Sequence, residues 1–365
     1  MTKGSTANLP KTTCHRADKV MLRGDNPRNE FGISFGSLNS NPEQYMKFGK
    51  EAEDSGYDAL YYSDNPLRVR DPFVNMAATA TVTKRVRLGT LVSPVVIRHP
   101  SVLANSIYAV NELSGGRAVL TVGAGDTSAR RIGLNIAKLK EIEDSVQCLR
   151  SLLSGQKYNF HSAESCMSFV GKETSVPIYV VGTGPRMLRL SGRIADGTVI
   201  NVGPDLTDWA LEQVRRGADQ VGMSCSSKPI LWFGFTSIDE NGDVAIQRAK
   251  PSVANYCIAH RELIHKNRPD LGDNFWSKID GIRQLDIVHS ANWDDAIKAS
   301  HFIPDDLVRS MALAGTADEI VEVLRKIMGK GVTSIIIRPP SDNDWLKVMK
   351  LFASRVIPFF KQEKK

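Results

Sequence analysis

The stretch Val119–Leu134, VLTVGAGDTSARRIGL, decides how the rest of the chain is read. It opens as a short β-rich apolar run, Val119-Leu120-Thr121-Val122, and passes at once into Gly123-Ala124-Gly125-Asp126. A buried strand that ends in two glycines and a carboxylate is how an α/β enzyme presents chemistry at the carboxyl edge of its sheet. The glycines let backbone approach a flat ligand closely, and Asp126 can accept or give a proton there. A plain alternative stays open: a tight Gly-Ala-Gly turn with Asp126 as the N-cap of the next helix.

The same strand, loop and helix order recurs outward in both directions. Towards the N-terminus, FGISF (31–35) reads as a strand, and Asn41 with Pro42 starts a helix running to Gly56. Tyr57–Tyr62 is a second strand ending at Ser63-Asp64-Asn65, and Asp71-Pro72 caps a helix through Thr83. Val86–Val92 is a third strand, followed by a helix from Pro100 to Leu113 that Gly115-Gly116 closes. Arg117–Val122 is the fourth. Towards the C-terminus, a helix over about 137–153 leads to 156–175, which alternates weakly and reads as a hairpin excursion. Pro177–Val181, Gly197–Asn201 and Pro229–Phe235 are the next three strands, with helices at 186–194 and 206–221 between them. Residues 243–311 are mostly helical and too long for one crossover, so they read as an insertion. Thr316 and Glu319 form a capping box for a helix through Lys330, and VTSIIIR (332–338) and a helix at 342–357 close the chain. Eight strands alternating with helices predict a TIM (β/α)8 barrel over 31–357, with insertions after strands 4 and 7 and an N-terminal extension at 1–30.

Bulk properties narrow the class. Of the 365 residues, 42% are hydrophobic and 24% charged, the range of an ordinary globular protein. A net charge of +7 is spread singly and in short pairs such as Arg130-Arg131, with no basic stripe interleaved with aromatics. Nucleic acid is therefore not the expected partner; an acidic small ligand suits the charge equally well. The five cysteines are scattered with no CxxC pair, which argues against a disulfide framework or structural zinc and fits a cytoplasmic protein. No apolar run approaches the roughly 18 residues of a membrane span, and residues 1–30 lack the apolar core of a signal peptide.

In a barrel, residues at strand exits form the candidate site: Ser63-Asp64-Asn65, Leu91-Val92-Ser93, Gly123–Asp126, Gly182–Pro185, Asn201 and Arg338. Gly182-Thr183-Gly184-Pro185 is the phosphate-binding candidate, since backbone amides, the Thr183 hydroxyl and a helix N-terminus converge there; a plain turn is the alternative. Asp64 can hydrogen-bond a heterocycle or substrate, or simply cap its loop. There is no GxSxG elbow, no HExxH and no clustered metal set, which leaves a hydrolase or metalloenzyme without parts. An anion cradle in a glycine-lined pocket with few side-chain acids suits chemistry that belongs to a bound cofactor.

The residues then resemble the luciferase-like monooxygenase superfamily of TIM-barrel proteins, which use FMN or the deazaflavin coenzyme F-420. The resemblance is nearest the methylenetetrahydromethanopterin reductase branch. It rests on SGYDALYYSD (55–64), RVRLGTLVSPVVIRHPSVLA (85–104), NELSGGRAVLTVGAGD (111–126), PIYVVGTGPRMLRLSGRIADGTVINVG (177–203) and GTADEIVEVLRKIMGKGVTSIIIRPP (315–340), in family order. It implies that Gly182, Thr183, Gly184 and Pro185 hold the cofactor phosphate. Leu91-Val92 falls where members often carry a non-prolyl cis peptide, a bulge backing the isoalloxazine ring. Asp64 matches the acidic residue after the second strand, and Asp126 the acid near the ring in deazaflavin-dependent relatives. One departure matters: members commonly have His where this chain has Asn65, and an amide can hydrogen-bond but cannot shuttle a proton near neutral pH.

Two activities follow from the resemblance. The first is hydride transfer between coenzyme F-420 and a small organic substrate. The second is an FMN-dependent two-component monooxygenase using O2, with a separate flavin reductase as partner and the 243–311 insertion as a lid. A flavin-binding member without catalysis is a third reading. The resemblance also implies a homodimer formed through barrel helices.

Overall fold

The structure is a computed structural model that describes residues 29–35, 40–160, 163–171, 175–224, 228–283, 292–340 and 344–362. Its centre is a closed barrel of parallel strands: β1 (Glu30–Ser34), β2 (Ala59–Tyr62), β3 (Arg87–Thr90), β4 (Ala118–Gly123), β5 (Ile178–Gly182), β6 (Gly197–Ile200), β7 (Ile230–Ile238) and β8 (Ser334–Arg338). Each strand pairs with the next, and β8 returns to β1 with Ile33 opposite Ile337, so the eight-stranded ring has no free edge. The expected TIM barrel is the observed fold. Most of the expected N-terminal extension, 1–30, lies outside the described residues.

Alternation along the strands sorts side chains into two cores. Outward residues such as Phe31, Ile33, Leu60, Leu88, Leu120 and Ile335 pack beneath the helices. Inward residues, among them Tyr61, Val119, Tyr179, Val199, Leu231, Phe233 and Ile336, fill the barrel itself. Gly32 and Gly89 flank Tyr61, and a Cβ on either would stand 2.9 or 2.8 Å from its ring, so only glycine leaves room for the phenol. Beside Tyr61, an ion pair between Glu30 and Arg87 closes the amino end of the barrel, and Ser334 Oγ donates to Glu30 at 3.1 Å.

The helices start where the sequence signals them. Asn41 and Gln44 form a reciprocal capping box, Asp71 Oδ1 accepts from Phe73 N and Val74 N, and Thr316 and Glu319 form a second box. His99 caps the helix Pro100–Leu113, accepting from Ser101 N, which gives it a structural role. The segment expected as a hairpin contains antiparallel Tyr158–Phe160 and Ala163–Ser165.

The region read as an insertion holds helices Gly242–Ala259, Arg261–Asn267, Asp273–Ile282, Trp293–Ser300 and Asp305–Met311. Lys250 ties the first of these to the last two, its ammonium reaching His301 O at 3.1 Å and Asp305 at 2.8 Å. A short strand, Leu313–Gly315, then pairs alongside the end of β7. Among the described residues no helix is long and apolar enough to cross a membrane, and Cys148, Cys166 and Cys257 are free thiols.

Candidate active site

The carboxyl ends of the strands gather the predicted site residues into one mouth, beginning at β3. This strand ends at Thr90, two residues before the expected Val92, because the Leu91–Val92 peptide bond is cis and the chain bulges out of the ladder. Thr90 fills the gap with its side chain: Oγ1 accepts from Thr121 N at 3.0 Å and donates to Thr121 O at 2.9 Å. Pairing with β4 resumes at Ser93–Pro94, opposite Val122 and Gly123.

Two glycines fit against this bulge. A Cβ on Gly123 would come within 2.7 Å of Val181 Cγ1 and 3.0 Å of Val92 Cγ2, so glycine lets β4 close on both neighbours. Gly125 has φ +80°, and a Cβ there would lie 2.3 Å from Pro94 Cβ; conformation and packing both demand glycine. Gly125 is also the N-cap residue of a six-residue helix, Asp126–Arg131, so Asp126 is the first helical residue and not the cap. Asp126 itself is half-exposed and paired with Arg130 Nε at 2.6 Å.

Asp64 lies at the β2 exit, 2% exposed. Arg98 clamps it through Nε to Oδ2 at 2.7 Å and Nη2 to Oδ1 at 3.1 Å, and Ser93 Oγ donates to the same Oδ2. Arg98 Nη2 reaches on to Asp71 at 2.7 Å, and its guanidinium lies over the Phe73 ring. Burial works against the Arg98 charge, but hydrogen bonds and charge from Asp64 and Asp71 outweigh it and hold the pKa above the usual value. Both Asp64 oxygens are thus engaged within the protein, and its carboxylate braces the β2 and β3 exits against each other. Next to it, buried Asn65 has an Oδ1 with no hydrogen-bond partner. Thr121 Oγ1, inside the barrel on β4, also lacks one. Such buried orphans are rare in native folds and cluster where a ligand completes them.

The β5 exit runs Gly182-Thr183-Gly184-Pro185 into the helix Pro185–Ile194, with Gly184 as N-cap and no side chain capping the first turn. The backbone N–H groups of Arg186 and Met187 are therefore available, and a Cβ on Gly184 would meet nothing within 4 Å. Amides around open space at a helix N-terminus suit an anion. Together with the valine and glycine surface at the β3 and β4 exits and the orphan amide and hydroxyl, the residues present fit a phosphate-bearing flavin-type coenzyme.

One titratable group at the mouth has no signature in the sequence. His260, at the end of helix Gly242–Ala259, packs at a tilt against Tyr256, with ring centroids 4.5 Å apart and the planes at 53°. Tyr256 OH donates to Asn201 O at 3.0 Å, and Asn201 N bonds Gly182 O, so this helix is moored to the β5 and β6 exits. Burial pushes the His260 imidazole below its ordinary pKa, and the charge of Asp126 pulls it part of the way back. The structure thus brings Asp126 and His260 within electrostatic reach of each other.

A parallel barrel with a bulge after β3, a glycine exit on β4 and an uncapped helix N-terminus after β5 is the frame of cofactor-dependent (β/α)8 oxidoreductases. The chain belongs to the luciferase-like monooxygenase family, whose match spans residues 29–334. It is similar to the 5,10-methylenetetrahydromethanopterin reductase of Archaeoglobus fulgidus, 28% identical over 327 residues that cover 87% of this chain and 95% of that one. An F420-dependent glucose-6-phosphate dehydrogenase of Nakamurella multipartita is 24% identical, over 91% of this chain and 96% of its own. The fold is shared with the solved structure of the coenzyme F420 dependent tetrahydromethanopterin reductase of Methanopyrus kandleri, with a TM-score of 0.78 at 22% identity over 91% of this chain and 99% of that one.

Proposed function

We propose that this protein transfers hydride between coenzyme F-420 and a small organic substrate. The observation that carries the reading is the uncapped helix N-terminus at Gly184–Pro185, set beside the Leu91–Val92 bulge and Gly123 at neighbouring strand exits. The F420-dependent relatives favour the deazaflavin over FMN. When bound, the coenzyme supplies two-electron hydride chemistry at its ring.

The chain's residues do the rest. Thr183 Oγ1 and the amides of Arg186 and Met187 hold the phosphate. Leu91, Val92 and Gly123 seat the ring against an apolar wall, and the Asn65 Oδ1 orphan accepts a hydrogen bond from a ring N–H. Asp64 and Arg98 position this wall. In the reducing direction the substrate gains one hydride and one proton, and the proton is what the protein must manage. Asn65 cannot carry it, so Asp126 and His260 hold and move it at the mouth.

Equilibrium binding of F-420 and FMN, oxidised and reduced, tests this. F-420 is expected to bind about tenfold or more tightly than FMN, and Thr183→Val to weaken it by roughly the free energy of one charge-assisted hydrogen bond, about 1.5–3 kcal/mol. Preference for reduced FMN with O2-dependent turnover would replace the reading with a monooxygenase served by a separate flavin reductase. Binding of neither would refute the cradle.

A further inference from the structure

One polar group beneath the mouth is not used by the coenzyme reading. Alternation along β1 turns Phe31 and Ile33 outward under the helices, so Gly32 and Ser34 face the barrel interior. The staggered register brings Ser34 of β1 level with Leu91 of β3, Val181 of β5 and Phe233 of β7, a layer drawn from alternate strands. Its other three members are apolar and lie in or against the inner core. Ser34 is 4% exposed, and its Oγ has no hydrogen-bond partner.

A lone hydroxyl in such a layer is unfavourable in the free chain. It gives up the hydrogen bonds of water and gains none from Leu91, Val181 or Phe233. Alanine would occupy the same place without that penalty, so the serine points to a group that meets it only when the mouth is filled. Its position says which group. Val92 and Gly123, the wall proposed for the coenzyme ring, lie at the β3 and β4 exits, and a ring seated there turns its free face towards β7, β8 and β1. The space left for a substrate is therefore bordered by Ser34 and Phe233. One hydroxyl, donor and acceptor at once, matches one carbonyl or hydroxyl oxygen, whereas this layer offers an ionised group no counter-charge. Arg338, a level higher on β8, already has partners within the chain.

We infer that Ser34 is a substrate-binding residue, whose hydroxyl holds the oxygen of an uncharged carbonyl compound or alcohol. It donates to a carbonyl, and donates to or accepts from an alcohol. This rests on the functional reading above for the word substrate and for the side on which the coenzyme lies.

The experiment titrates cyclohexanone, cyclohexanol, cyclohexanecarboxylate and benzene into the full chain as purified, in wild type and Ser34→Ala. It follows the methyl NMR signals of Leu91, in the same layer, and of Ile336, which pairs with Gly32 on β1. Ser34→Ala is expected to weaken cyclohexanone and cyclohexanol about threefold to tenfold, as for one neutral hydrogen bond, and benzene by less than about twofold. The free variant should melt at the wild-type temperature or above it, because its hydroxyl had no partner to lose. Equal affinities for the oxygenated probes in both proteins overturn the inference, as does the absence of any shift at Leu91 and Ile336. A parallel loss for benzene, or a lowered melting temperature of the free variant, overturns it by giving the hydroxyl a packing role. Cyclohexanecarboxylate binding more tightly than cyclohexanone overturns the uncharged class. Affinity for F-420, measured in parallel, is expected to agree within about twofold between the two proteins; a matching loss there would assign Ser34 to the coenzyme and overturn the inference. Failure of F-420 to bind wild type would sink the functional reading while leaving the probe comparison intact.

Discussion

His260 is held between opposing influences, since its surroundings disfavour the imidazolium and Asp126 favours it. Between the lowered folded value and the ordinary 6.5, the unfolded chain binds the proton more readily. This residue's contribution to stability is therefore complete above pH 6.5 and declines as pH drops through that window. Asp126→Asn removes the charge that raises the value, so the His260 titration seen by imidazole proton NMR should move further down; an upward move would contradict the pairing. His260→Gln should flatten the stability slope across the same window. Asp64, Asn65, Asp126 and the Gly182–Pro185 loop were readable because each follows a strand directly. His260 was not, because it reaches the mouth through helix packing and sits in no local pattern. Nor could the sequence tell that Arg98 occupies Asp64, since a carboxylate at a strand exit looks the same whether it meets a ligand or a guanidinium.

Among the elements, the turn into β3 is held by a single carboxylate. Glu53, at the end of helix Pro42–Asp54, is 2% exposed and accepts from the amides of Arg85 at 2.7 Å, Val86 at 3.0 Å and Lys84 at 3.0 Å. Burial alone would raise its pKa, but these amides, assisted by the Arg85 charge, hold it below the ordinary carboxylate value. The stability it contributes is thus present above pH 4.5 and is lost as pH falls through the lowered folded value. Glu53→Ala strands three amide donors, that of Val86 buried and those of Lys84 and Arg85 partly so, and should cost about 2–3 kcal/mol in urea unfolding; a change below about 0.5 kcal/mol would show that the turn holds without it. Helix starts at Asn41, Asp71 and Thr316 could be read because caps are local chemistry. The early end of β3 could not, since TLVS carries no signal that Thr90 will take over the hydrogen bonds of Thr121.

For the molecule as a whole, alternation of strands and helices was enough to reach a closed barrel, because an all-parallel sheet with crossovers of this length has few ways to bury both faces. The helical segment after β7 was legible as extra chain, but its mooring through Tyr256 was not, as it depends on a backbone carbonyl at Asn201. The outer surface carries its own expectation. Val74, Val102 and Leu113 stand at least half exposed on the neighbouring helices Pro72–Val82 and Pro100–Leu113. We expect these helices to pair two copies, so sedimentation should give twice the chain mass, and Val102→Asp should shift it to one. A wild-type protein that sediments as a single chain at micromolar concentration would exclude this arrangement.

The side chains packed inside the barrel, with the Glu30–Arg87 pair at its amino end, close the mouth from below. Whatever enters must leave through the opening by which it came. A coenzyme resting on Val92 and Gly123, as proposed above, would be covered by a substrate that follows it, and would be first to enter and last to leave.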